Sequence, residues 1–103
     1  MASSIIRNEH IAPDYRRFSD VETPFTATED GYISFSLTGT WTPCLGKINT
    51  FPIASVQIAN TNSYPMSVQF PPVPISKGDV CIIDTQNATG NSGNMRFYKI
   101  KKS

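Results

Sequence analysis

Gly31-Tyr-Ile-Ser-Phe-Ser-Leu-Thr-Gly-Thr40 alternates apolar and polar side chains. Ile33, Phe35 and Leu37 share one face; Tyr32, Ser34, Ser36 and Thr38 share the other. A period of two predicts a strand with one buried face. Ala54–Ile58 repeats the pattern with Val56 and Ile58 inward, and Met66–Phe70 repeats it with Met66, Val68 and Phe70 inward. Asp79 to Thr85 is apolar on both faces, with Val80 and Ile82 on one and Cys81 and Ile83 on the other. Met95 to Ile100 is also mixed: Met95 and Phe97 share one face, Tyr98 and Ile100 the other. A weaker strand covers Arg16–Val21, with Phe25–Ala27 as a short continuation.

Turn chemistry separates these runs. Glu29-Asp-Gly31 and Ser76-Lys-Gly-Asp79 are tight-turn signals. Asn60–Ser63 and Asn87–Asn94 read as longer loops, and Pro71-Pro-Val-Pro74 as a stiff extended connector. Trp41 to Pro52 is irregular, with room for a short strand at Lys47–Phe51. Eight Pro and six Gly oppose long helices. Short strands with regular turn signals predict an all-β antiparallel sandwich over residues 15–103. Residues 1–14 are polar, lack a period and read as an arm.

The chain has 103 residues, enough for one domain and too few for a barrel enzyme. Charged residues are only 17%, below the usual ~25%. The net charge is +1, so the basic footprint of a nucleic-acid binder is not indicated. No run approaches the ~18 apolar residues of a membrane span, so no membrane insertion is expected. The opening Met1–His10 has no basic start followed by an apolar region, so no secretion leader is expected. Cys44 and Cys81 fit neither a disulfide scaffold nor a zinc site, and read as free buried thiols.

Phe25-Thr-Ala-Thr-Glu-Asp-Gly-Tyr-Ile-Ser-Phe35 resembles a signature of small jelly-roll domains at the ends of bacteriophage and prophage tail fibres. A similar segment introduces a core strand in complement-like and tumour-necrosis-factor-like heads. Val73–Cys81 resembles a late step in the same folds, and Asn94–Ile100 resembles their final aromatic strand. Together these cover about residues 23 to 100. The resemblance implies an antiparallel jelly-roll β-sandwich of the tumour-necrosis-factor-like kind, assembled as a homotrimer. It names no ligand. The chain is shorter than the animal heads and has no collagen repeat, which favours the virion version.

The doubly apolar strands point the same way. If Ile33, Phe35, Val56, Val68, Val80, Ile82 and Phe97 fill the sandwich, then Tyr32, Cys81, Ile83, Tyr98 and Ile100 lie on opposite faces. An apolar patch left there suits a trimer interface. Cover by loops or by the arm is the other reading.

Catalytic chemistry finds few candidates. His10 is the only histidine, and it lies in the polar arm. Asp30, Asp79 and Asp84 do not suggest a carboxylate pair, since Asp30 and Asp79 sit where turns favour Asp. No metal-ligand cluster or phosphate-cradling loop is evident, so no catalytic residue, metal or cofactor is expected. Lys99, Lys101 and Lys102 form a short basic tail.

Binding remains. Amides and hydroxyls match sugar hydroxyls, and aromatic faces take the apolar face of a sugar ring. Asn60, Asn62, Tyr64, Asn87, Asn91, Asn94 and Trp41 are therefore the candidate ligand residues. Asn and Ser also dominate turns by bonding locally, and Trp41 beside Pro43 also suits packing. Counting strands places loops 22–30, 59–64 and 86–94 at one end, away from the arm. Loops 41–53 and 71–78 then share the other end with both termini. A strand at Lys47–Phe51 would flip that count.

The expected protein is a non-enzymatic, trimeric virion module that binds host surface glycans or proteins. It would be made in host cytoplasm and act outside the cell. The arm would attach it to other virion proteins. A capsid decoration protein is the alternative, and a secreted lectin-like or signalling head the third.

Overall fold

The computed structural model describes residues 12–101. The expected arm lies outside the described residues except at its end, where Pro13 already opens the first strand. His10 and Lys102 also lie outside them.

Among the described residues, nine strands form two antiparallel sheets. They are β1 (Pro13–Val21), β2 (Phe25–Thr26), β3 (Gly31–Gly39), β4 (Cys44–Ile48), β5 (Phe51–Val56), β6 (Met66–Gln69), β7 (Val73–Ile75), β8 (Val80–Asp84) and β9 (Ser92–Ile100). One sheet runs β1-β9-β3-β6, with β7 also on β3; the other runs β2-β8-β4-β5. Among the described residues no helix is present.

The alternation in β3 sets the core side as the sequence implies, although Tyr32 and Ser34 on the other face are buried too. Ile33, Phe35 and Leu37 are buried between the sheets, beside Met95 and Phe97 of β9. Cys44, Ala54, Val56, Cys81 and Ile83 of the second sheet complete a single core. Gly46 lets the sheets approach, since a Cβ there would stand 2.7 Å from the Phe35 ring.

β6 and β7 behave as one strand bent by a bulge. Ser36 faces Gln69 and Ile33 faces Val73, so one extra residue sits between. Pro71 and Pro72 occupy the bulge, where no ladder hydrogen bond is asked of them. Ser34 closes it by donating from Oγ to the Phe70 carbonyl at 3.1 Å. The expected connector at Pro71–Pro74 is thus partly strand.

One open point is decided and two expectations are corrected. Lys47–Phe51 is not one strand: Asn49 and Thr50, both at positive φ, turn the chain there between β4 and β5. Met66 lies near the end of the sheet and is half exposed rather than inward. In β8 the faces are reversed. Cys81 pairs with Ile48 and Ile83 with Gly46, so Cys81 and Ile83 enter the core at 0% and 8% exposure. Val80 and Ile82 take the outer face, half-buried, with Ile82 opposite Lys47.

Candidate functional site

Loops 40–43, 57–65 and 85–91 meet at one end of the molecule. Gly39 pairs with Met66 and Thr38 with Ser92 at that end, while Pro13 pairs with Ile100 towards the other. Loops 59–64 and 86–91 therefore do share the end away from the start of β1. Turn 76–79 lies at the end of the termini, as expected for 71–78, while the places of 27–30 and 40–43 are corrected. β2 and β4 add two reversals, so 40–43 joins this end, while turns 27–30, 49–50 and 76–79 lie at the other.

Asn91 ties two of the three loops together. Its Oδ1 accepts from Thr40 N and Thr40 Oγ1, both at 2.8 Å. Its Nδ2 donates to the carbonyls of Thr42 at 2.8 Å and Thr85 at 3.1 Å. Both functional ends of the amide are engaged, so Asn91 shapes the tip rather than offering itself to a ligand. Gly90 lies against Thr40 at φ +92°, where a Cβ would come within 2.9 Å of the Thr40 methyl. From the third loop, Ile58 N donates to the Thr40 carbonyl at 2.9 Å.

These ties hold Trp41 outward. The Gln57 amide donates to its carbonyl at 2.6 Å, and Thr42 N donates to Thr40 Oγ1 at 3.3 Å. The indole is 56% exposed. It borders a groove of about 480 Å³ lined by Thr40, Thr42, Thr61, Ser63, Ala88 and Thr89, with Ile58 and Pro65. Asn60 shapes the wall by accepting from Asn62 N at 2.9 Å. Tyr64 is 92% exposed on the same loop.

The other expected ligand residues separate. Asn87 borders a different depression, with Lys47, Asp84 and Gln86 on the second sheet. Asn94 lies on β9, in a polar depression with Ser36, Thr38, Ser67 and Gln69. Sequence reasoning missed the threonines and Ser63; the available signal was their density in loops free of charge.

Of the expected interface residues, Cys81 and Ile83 belong to the core, for the register reason given above. Tyr32 and Tyr98 face each other on the outer side of the first sheet, yet both are buried. Tyr15 packs edge-on against Tyr98 at 5.1 Å and Phe18 lies 6.0 Å away, so β1 provides cover within the chain. Arg96 stacks over Phe18 at 4.1 Å and bonds Asp20 at 2.8 Å. Ile100 is half-buried. Tyr15 and Phe18 are the aromatic residues left exposed there.

The perturbed ionisable groups lie outside the groove. Burial, with some help from Asp79, pushes the Cys81 thiol up to about 11. Burial also raises Cys44, aided by Asp84. The hydrogen bond from Lys47 holds Asp84 below the usual carboxylate range. Among the described residues, no cluster of His, Cys, Asp and Glu is arranged to hold a metal. No protein-family model, curated protein or solved structure matches the chain.

Proposed function

We propose that this protein is a non-enzymatic attachment module of the tail-fibre-tip kind, binding host surface glycans through the Trp41 groove. The observation that carries the reading is the exposed indole held beside a hydroxyl-lined groove. It stands at the end opposite the Pro13–Ile100 pair. An aromatic face with a few placed polar groups is a recognition surface for a ring that is apolar on one side and hydroxylated at its edge.

The finer fold reading is a jelly roll. With β6 and β7 counted as one bent strand, eight strands follow the orders first-eighth-third-sixth and second-seventh-fourth-fifth. That order supports two interlocked Greek keys. Association into a homotrimer is the assembly this reading carries, with Tyr15 and Phe18 as the exposed aromatic surface available to a neighbouring copy.

A glycan array probed with the full chain and with Trp41→Ala tests the proposal. The expected result is a small set of glycans bound by the native protein and lost in the variant. Binding that ignores the substitution would overturn the assignment to this groove. Co-purification with capsids and no glycan binding would favour decoration instead.

A further inference from the structure

We infer that the Trp41 groove selects neutral sugars carrying a methyl group, such as an N-acetylhexosamine or a 6-deoxyhexose, over acidic sugars. The inference rests on the glycan reading and adds the class of sugar.

The first support is electrostatic. Among the described residues, no ionisable acid or base borders the groove: its walls are Thr, Ser, Trp, Ile, Pro and Ala. This extends through whole stretches of chain. Asp, Glu, Lys, Arg and His are absent from Gly31 to Gly46, from Ile48 to Ser76 and from Thr85 to Met95. Those three stretches supply the three loops. Of the ionic residues that bound them, Lys47 and Asp84 pair with each other at 2.8 Å.

An acidic sugar entering this groove would give up hydration of its carboxylate without meeting a cation. Removing an unpaired charge from water is far costlier than removing a hydroxyl that finds a partner. A neutral sugar exchanges water hydrogen bonds for those of the threonines and Ser63, at little net cost. The lack of charge therefore discriminates against carboxylates while remaining tolerant of hydroxyls.

The second support is the apolar part of the wall. Ile58, Pro65 and Ala88 lie with Trp41 among the hydroxyl-bearing residues. A sugar bearing only hydroxyls has its one apolar ring face for Trp41 and no further apolar group for Ile58, Pro65 and Ala88. An acetamido or deoxy methyl supplies one, and one well-placed methyl changes affinity by about 10- to 200-fold in a hydrophobic pocket.

Trp41 is the only tryptophan, so its fluorescence reports directly on the groove. The full chain is titrated with paired oligosaccharides of one backbone, ending in N-acetylglucosamine, fucose, sialic acid or glucuronic acid. The expected result is a fluorescence change with the first two and affinity at least tenfold weaker for the acids. Kd for the neutral sugars should change less than twofold between 50 and 500 mM NaCl. Thr61→Lys should narrow the gap by at least tenfold by giving the carboxylate a partner. Stronger, salt-sensitive binding of the acids, lost in Trp41→Ala, would overturn the selection while leaving glycan binding in place. No binding of any sugar would overturn both.

Discussion

Asn91 and Thr40 are bound twice: one amide oxygen accepts from both the backbone N–H and the hydroxyl of Thr40, each at 2.8 Å. They lie 51 positions apart in the chain. The pair fixes where β3 ends relative to the start of β9.

Asn91→Ala removes all four hydrogen bonds and leaves part-buried groups at Thr40, Thr42 and Thr85 unpaired. Each lost bond is worth about 1 kcal/mol net, with more for an orphaned buried group. The expected destabilisation is about 2–4 kcal/mol, read from urea midpoints at constant m-value. A midpoint within error of the native protein would show that the loops hold their arrangement without it.

Trp41→Ala should barely change stability, because the indole is more than half exposed and exposed substitutions stay within about 0.5 kcal/mol. Thermal unfolding checks this. A large loss would mean that the ring is a packing element.

Gly46→Ala should destabilise by about 1–3 kcal/mol through overpacking. The added methyl would meet the Phe35 ring, itself fully buried. A denaturant series is sufficient, and a paired Phe35→Leu should recover part of the loss.

Cys81 links stability to alkaline pH. Its thiol is raised from the ordinary 9.0 to about 11 in the folded protein. Between those values the folded state keeps a proton that the unfolded state releases, so stability falls as pH rises. The contribution is complete below about pH 9 and is lost as pH rises through about 11. Cys81→Ala should flatten this limb, and Ellman's reagent at pH 8 should label Cys81 only after denaturation.

Asp84 links stability to acid in the opposite sense. Lys47 holds its folded pKa below 3.8, so the unfolded state takes up the proton first. The stabilisation is present above that ordinary value and is lost as pH falls through the depressed one. Lys47→Met should make the loss on acidification shallower, measured by urea unfolding between pH 5 and 2. An unchanged slope would assign the acid response to other carboxylates, such as Asp79, which accepts from Ser76 N and Asn49.

β3 was legible because Ile33, Phe35 and Leu37 alternate with serines and threonine, leaving one choice of the side that faces the second sheet. β8 was not, because Val80-Cys-Ile-Ile83 satisfies either face, and only pairing with Gly46 and Ile48 decides. The β4–β5 turn escaped because its second residue is Thr50 at φ 72°, where glycine usually announces the turn. Without β2 and β4, counting placed Trp41 at the wrong end. At the tip, Asn60 and Asn91 read as ligand groups by type, but their side chains are held by the loops themselves. Composition marks a residue as able to bond; only the fold shows with what.

Every proline except Pro43 lies on or next to a strand at a sheet margin. Pro13 begins β1, Pro24 precedes β2, Pro52 lies in β5, and Pro65, Pro71, Pro72 and Pro74 flank or interrupt β6 and β7. Those are the four borders of the two sheets. A proline offers no N–H to an incoming strand, so each border is a poor template for continued pairing. Many copies crowded on one surface would then meet face to face, without merging into an extended cross-β array.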